Sequence, residues 1–340
     1  MDIKLYQTFE KALEPEWNAL LAESSAHVPF LRFEYLSAWW QTRGGGEWPE
    51  TAELMILTAR EDNRLVGIAP MFQTEWEGAQ TLLLLGSIEI SDYLDLIARP
   101  EDLPRFTDAL LTYLSSESTP LASWQRIDLY NILETSPSLM ALDSAARGRG
   151  WTFHQEPFRP ALSVTLPGDW DAYLATIDKK QRHEIRRKMR RAYTGELPVR
   201  WYIVRNADQL DSEIDGFLKL MEKDSEKARF LTPPMRENFR QTIRCAFEAG
   251  CLHLSFLEIN GQKAAGYLSF DYLDQLWVYN SGMDSAFNEY SPGWVLLGEL
   301  LKWANENGRK EFDFMRGDED YKFRFGAKKR DVMRAILTRL

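Results

Sequence analysis

Cysteine is nearly absent: Cys245 and Cys251 are two residues in 340, too few for a disulfide framework and outside any CxxC or Cys/His metal pattern. Both are expected to be plain buried thiols. Histidine is scarce too, and His27, His154, His183 and His253 show no ligand spacing, so no metal is expected. No apolar run reaches the roughly 18 residues that span a bilayer, and the stretch from Thr81 to Leu85 stops at Gly86. A transmembrane segment is therefore not expected. The start Met-Asp-Ile-Lys-Leu-Tyr brings charge early and no apolar stretch, which does not support a signal peptide and makes a cytoplasmic place the expectation. Missing as well are GxGxxG, a P-loop, HExxH and GxSxG, the marks of nucleotide-dependent redox chemistry, ATP hydrolysis, zinc peptidases and serine hydrolysis. Positive charge is in deficit, 41 Lys and Arg against 51 Asp and Glu, for a net −10. Such a field repels DNA and anionic membranes, so any anion site must be local.

What is present is apolar and aromatic. A hydrophobic fraction of 44% with 12 Trp describes a packed protein, because a disordered chain lacks the surface that offsets ordering entropy. The length of 340 residues suits two domains. Leu31 to Trp40 has helical spacing and is broken by Gly44-Gly45-Gly46. Leu54–Ala59 and Leu65–Phe72 flank the turn Arg60 to Arg64 and read as a hairpin. A strand at Leu82–Leu85, a helix at Leu103–Leu114 and a strand at Arg126–Tyr130 follow. The second half repeats this order: Leu252–Ile259, the turn Asn260-Gly261, Ala264–Phe270, Leu276–Asn280, a helix from Pro292 to Asn307 closed by Gly308, and a strand at Phe312–Met315.

The parallel extends to single residues, with Leu65-Val66-Gly67-Ile68-Ala69 matching Ala264-Ala265-Gly266-Tyr267-Leu268, and Arg126-Ile127-Asp128-Leu129 matching Glu311-Phe312-Asp313-Phe314. An α/β domain duplicated in tandem is the simplest account, since the period is too long for a solenoid. Between the copies, Ala161–Leu166 reads as a strand and Trp170–Arg191, Leu210–Lys227 and Met235–Glu248 as helices. The cut is placed near 150, giving modules 1–150 and 151–340.

The segment Tyr290-Ser291-Pro292-Gly293-Trp294 joins a strand to the longest helix of the second copy. Ser291 suits the N-cap, Pro292 the first helical position, and Gly293 admits close approach to the backbone. Unpaired N–H groups at the positive helix end can hold a pyrophosphate; a plain well-made helix start is the alternative. The first copy has Pro100-Glu101-Asp102 there, and carboxylates in that first turn repel phosphate, so a donor site is expected only in the second copy. The helix after Gly293 places Leu296, Leu300 and Trp303 on one face, which docks it firmly.

Two other constellations carry charge. Asp178 to Arg191 is a basic helix in an acidic protein, with Arg182, Arg186 and Arg190 four residues apart. Such neighbours repel unless something anionic faces them, so Arg182 and Arg186 are candidate contacts for a substrate or its phosphate; a solvated helix paired with surplus carboxylates is the other reading. Phe312 to Arg324 is an apolar strand running into a charged loop. Asp313 between two phenylalanines is either a general base with a raised pKa or a structural carboxylate, as Asp128 in the same place of the first copy suggests. Tyr321 and Lys322 are candidates for orienting substrate or protonating a leaving thiolate.

On Pro29-Phe30-Leu31, Ala38-Trp39-Trp40, Leu65 to Met71, Lys180-Gln181-Arg182, Tyr290 to Gly293, Phe312 to Gly317 and Tyr321-Lys322, the chain resembles the GNAT acyltransferase superfamily, and within it the acetyltransferase family named after the CelD protein of bacterial cellulose biosynthesis, also called BioF2-like. The resemblance runs from about residue 28 to 325. It implies tandem GNAT-like modules, α/β with mixed sheets flanked by helices. It also implies acetyl-CoA or another acyl-CoA as donor, bound at Tyr290–Trp294, and an amine or hydroxyl acceptor that is a small molecule, saccharide or peptidyl group, in polysaccharide or envelope metabolism. The usual Arg/Gln-x-x-Gly-x-Gly/Ala loop of GNAT enzymes is replaced here by Asn288 to Gly293. The same architecture resembles the FemAB-like peptidyltransferases, whose donor is an aminoacyl-tRNA; in that reading the helix from Arg182 to Arg191 meets the RNA. A non-catalytic scaffold of the same fold is the third reading. Without an evident nucleophile, catalysis would rest on positioning and electrostatics, with the thioester in the splay between the third and fourth strands of the second copy.

Overall fold

The computed structural model describes residues 1–116 and 124–339. They form two compact units, Met1–Pro160 with Arg330–Leu340, and Ala161–Lys329. The first unit runs β1 (Asp2–Tyr6), α1 (Glu14–Glu23), α2 (Phe33–Gln41), α3 (Arg43–Gly46), β2 (Glu53–Glu61), β3 (Arg64–Trp76), β4 (Ala79–Leu84), β5 (Ile97–Ala98), α4 (Leu103–Ser115), β6 (Arg126–Leu133) and α5 (Pro137–Arg147). The chain passes to the second unit within β7 (Thr152–Thr165). There follow α6 (Trp170–Thr176), α7 (Lys179–Tyr193), β8 (Val199–Ile203), α8 (Leu210–Met221), α9 (Ser225–Phe230), α10 (Pro233–Glu248), β9 (Leu252–Ile259), β10 (Gln262–Tyr272), β11 (Gln275–Met283), α11 (Pro292–Glu306), β12 (Glu311–Arg316), α12 (Asp320–Arg324) and finally β13 (Lys328–Thr338).

Each unit carries a mixed sheet. The first has the order β1-β2-β3-β4-β6-β13, antiparallel except where β4 meets β6. The second has β8-β9-β10-β11-β12 and then the end of β7, antiparallel except where β11 meets β12. The cut expected near 150 falls at Pro160, and residues 330–340 sit in the first unit. The physical reason is β13, which pairs antiparallel with β6 from Val332↔Leu133 to Thr338↔Arg126.

The repeat is visible in the backbone. Asp62 and Asn63 turn the first hairpin at φ 49° and 64°, Asn260 and Gly261 the second at 50° and 74°, the signs a two-residue type I′ turn requires. Both hairpins then slip register close to the turn, at Ala59/Arg60 and at Lys263/Ala265. Two of the expected long helices are each broken by an aspartate cap. Asp178 accepts from the N–H groups of Lys180 and Gln181 and separates α6 from α7, and Asp224 caps α9 and ends the run from α8. α11 lies on the second sheet with Leu296, Leu297, Leu300 and Leu301 buried against Tyr267, Leu276 and Phe312, so its N-terminus is held by a packed core.

Candidate active site

β11 and β12 are parallel neighbours over three residue pairs, Gln275↔Glu311 to Trp277↔Asp313. Beyond them β11 continues to Met283 and β12 to Arg316 without pairing, so the strands diverge into a wedge. The register of β11 on β10 also shifts there, Ser269 opposing Val278 and Leu268 opposing Asn280. Tyr279 is thus the extra residue of a bulge, a device that re-aims backbone groups beside a site. Farther along, the main chain of Ser281 is met by side chains: Asn280 Oδ1 accepts from its N–H at 2.9 Å, and Lys227 Nζ donates to its carbonyl at 2.5 Å.

α11 begins at the open end of the wedge. Its first intrahelical bond is Val295 N–H to Ser291 O, Pro292 has no N–H, and those of Gly293 and Trp294 precede any helical acceptor. Ser291 stands at the N-cap position with φ 52° and ψ 51°, and its side chain makes no capping bond. The capping expected of it is corrected by that left-handed backbone, which aims the hydroxyl away from the first turn. Gly293 is closed on its Cα side, where an added Cβ would lie 2.2 Å from Met283 Sδ. Tyr267 Oη donates to Gly293 O at 3.4 Å. Tyr290 is half-buried beside Gly195, and the Trp294 ring packs on Phe325 at 4.7 Å.

Asp313 is wholly buried, and its Oδ1 accepts from Met315 N–H at 2.7 Å. Met315 is left-handed at φ 62°, within the stretch where the register of β12 on β7 shifts between Asp313↔Ser163 and Arg316↔Ala161. Asp128 holds the equivalent register in the first unit, buried and gripped by Arg334 at 2.9 and 2.7 Å. Lys322 is 2% exposed; its Nζ donates to Arg316 O at 2.7 Å and Gly317 O at 3.1 Å and pairs with Glu319 at 2.8 Å. With these three partners it ties down the loop after β12. Tyr321, next to it, packs edge-on to Phe314, and its hydroxyl has no hydrogen-bond partner among the described residues. Burial, and then the Glu319 carboxylate, push its ionisation well above the ordinary phenol range. Tyr267 is raised likewise by burial, with Tyr321 and Glu319 adding to it. The two phenols, Glu319 and Lys322 therefore share one corner.

The basic helix divides its work. Arg182 Nη1 donates to Leu174 O at 3.3 Å, and Arg186 pairs with Asp171 at 2.7 Å, both partners on α6. The structure does not bring these two arginines to the start of α11. Lys188 is the cation there, its Nζ 4.2 Å from the centre of the Trp294 ring. Lys227, Asn280, Glu319 and Met283 were not legible as site residues. Only Glu319, within a run of acids, carried any local signal.

At the matching place in the first unit, β4 and β6 are parallel from Thr81↔Arg126 to Leu83↔Asp128 and then part. The gap is occupied by the chain itself. Residues 85–98 are buried except Glu89; Asn131 Nδ2 donates to Ile88 O and Ser91 O at 2.8 and 2.7 Å, and Leu94 N–H donates to Asn131 O at 2.8 Å. Asp102, buried at the start of α4, is held by Arg64 at 3.1 Å and Arg105 at 2.8 Å. Among the described residues, no group of His, Cys, Asp and Glu suits a metal, and no helix is long and apolar enough to cross a membrane.

A hairpin, a wedge between two parallel strands and a helix start, occurring in each unit, define a tandem GNAT-like fold. The solved structure of FemX matches with a TM-score of 0.67 at 12% identity, over 98% of this chain and 97% of that one. A conserved protein of unknown function from Bacteroides thetaiotaomicron matches at 0.64 and 12%, over 99% and 100%, and L-PGS from Bacillus licheniformis at 0.58 and 11%, over 94% and 90%. Likenesses at such identities speak for the fold. No curated protein matches the sequence. Residues 179–323 match the family model described as acetyltransferase (GNAT) domain, so the second unit carries a GNAT-type acetyltransferase domain.

Proposed function

We propose that the second unit transfers an acyl group from acyl-CoA to an amine bound against β11, and that the first unit binds no donor. The observation that carries this reading is the wedge between β11 and β12, open at a helix start whose Gly293 and Trp294 N–H groups precede the first intrahelical bond. Those groups and Lys188 would take the phosphates, and the bulge at Tyr279 would turn backbone N–H groups toward the acyl carbonyl. The acceptor nitrogen adds to that carbonyl, the C–S bond breaks, and the thiolate takes the proton of Tyr321 Oη. The proton given up by the nitrogen returns to the phenolate through water. Asp313 and Lys322 keep the β12 side of the wedge in place. In the first unit the buried segment 85–98 and the carboxylate of Asp102 stand where a donor would lie, which supports a donor-free module.

Titration calorimetry with acetyl-CoA and with free CoA tests the donor. Saturable binding near micromolar is expected, weakened at least tenfold in Gly293→Val, whose side chain must displace the flexible end of Met283. No heat with either ligand sinks the acyl-CoA reading. A second donor is favoured by one observation: Ser281 N–H and C=O, the edge groups an extended pantetheine arm would use, are already met by Asn280 and Lys227. An aminoacyl ester on RNA has no such arm, and the exposed Lys179, Lys180, Arg190 and Arg191 of α7 would meet its phosphates. Binding of aminoacyl-tRNA with a steep salt dependence, in a protein indifferent to CoA, would decide for it.

A further inference from the structure

Beside the wedge lies a recess of about 240 Å³, lined by Lys223, Asp224, Lys227, Ser281, Met283 and Asn288 among others. One residue in it is chemically incomplete. Lys227, in α9, buries most of its side chain and donates from Nζ to Asn280 Oδ1 at 3.1 Å and to Ser281 O at 2.5 Å. Both acceptors are neutral. The nearby carboxylates are engaged elsewhere: Asp224 caps α9 with its Oδ1 on two backbone N–H groups, Glu319 pairs with Lys322, and Asp284 pairs with Lys223 at 3.2 Å. Asp224 and Glu319 reach Lys227 only through space, and burial outweighs them, so its ammonium is lowered from the usual lysine range. Burying an ammonium without a directly paired anion is costly, and a third N–H remains to be used.

We propose that this recess is an anion subsite in which Lys227 binds a carboxylate or phosphate group carried by the acyl acceptor. The geometry is suited to it. Lys227 approaches β11 from α9, while the donor's phosphates, on the reading above, meet Gly293, Trp294 and Lys188 at the start of α11. An acceptor anchored at Lys227 is held against Ser281 at the mouth of the wedge, two residues beyond the bulge at Tyr279. The volume suits one oxyanion group with a few waters, each water occupying about 30 Å³. The assignment to the acceptor rests on the transferase reading; the anion site itself does not.

The experiment is thermal unfolding of the full chain with inorganic phosphate and, separately, acetate, at constant ionic strength set by chloride, with and without saturating CoA. The wild-type protein is expected to show a saturable rise in Tm with at least one anion. Lys227→Gln, which keeps an N–H donor for Ser281 O and removes the charge, should lose most of that rise while melting cooperatively without anion. Phosphate alone acting points to a phosphorylated acceptor, acetate acting as well to a carboxylate. An equal rise in Lys227→Gln, or one that tracks ionic strength only, overturns the site. Loss of the effect when CoA is added moves the anion to the donor and overturns the acceptor assignment. If the anion effect is intact while no acyl transfer to any amine is found, the subsite stands and the transferase reading fails.

Discussion

One step along α12 separates two chemistries. Lys322 spends its donors on Arg316 O, Gly317 O and Glu319, whereas the Tyr321 hydroxyl has no hydrogen-bond partner among the described residues. Because burial holds that phenol protonated far above neutral pH, it can donate to a thiolate throughout the working range and should add no basic limb to the rate profile below about pH 10. Tyr321→Phe should lower kcat by about a hundredfold and leave KM for the donor within about twofold. An unchanged kcat in steady-state assays would return proton delivery to water. Sequence alone left Asp313 between base and brace, and the reason is physical: the fold sets what surrounds a carboxylate. Asp128 meets Arg334, 206 positions away, and Asp313 accepts from a backbone N–H beside a kink at Met315. Lys227 was invisible for the same reason, since Ser281 lies 54 positions away.

At the scale of elements, the backbones of α8 and β11 approach closely in the site region. A Cβ on Gly282 would sit 2.5 Å from Met221 N and 2.6 Å from Leu220 C, and these are backbone atoms that cannot swing aside. Gly282→Ala should therefore destabilise the protein by about 1–3 kcal/mol and, by pushing back the end of α8, carry α9 and Lys227 away from Ser281. Chemical denaturation together with the anion-dependent Tm checks both; a variant as stable as wild type would mean that α8 yields at no cost. The hairpins β2–β3 and β9–β10 were legible because alternating apolar residues flank a turn whose residues accept positive φ. The helices α4, α10 and α11 were legible from their periodicity. β1, β8 and β13 were not: they are short or charged, and β13, Lys-Lys-Arg-Asp-Val-Met-Arg-Ala-Ile-Leu-Thr, becomes a strand through its pairing with β6. The splits at Asp178 and Asp224 were written in the sequence as N-cap residues inside otherwise continuous helical patterns.

Across the whole molecule, two buried groups tie stability to pH with opposite signs. His253, in β9, is wholly buried, lies 4.4 Å from the Trp303 ring, and has neither ring nitrogen hydrogen-bonded among the described residues. Burial depresses it from 6.5 to about 4. The unfolded chain therefore binds a proton that the folded one refuses, so stability present above pH 6.5 is lost as pH falls toward 4. Asp95, in the first unit, is 2% exposed, donated to by Ser136 Oγ and Leu96 N–H, and raised by burial from 3.8 to about 6. Here the folded state holds the extra proton, so stability is full below pH 3.8 and is lost as pH rises through 6. Between pH 5 and 6.5, above the range of ordinary exposed carboxylates, each contributes a change of about 1–2 kcal/mol. The two nearly cancel, and the wild-type denaturation midpoint should be almost flat there. Removing one partner should uncover the other: Asp95→Asn should lose stability as pH falls across that window, and His253→Gln should gain it. Parallel slopes in the two variants would mean that at least one of these groups is hydrated in the folded protein, and a second probe reporting on a single unit would identify which.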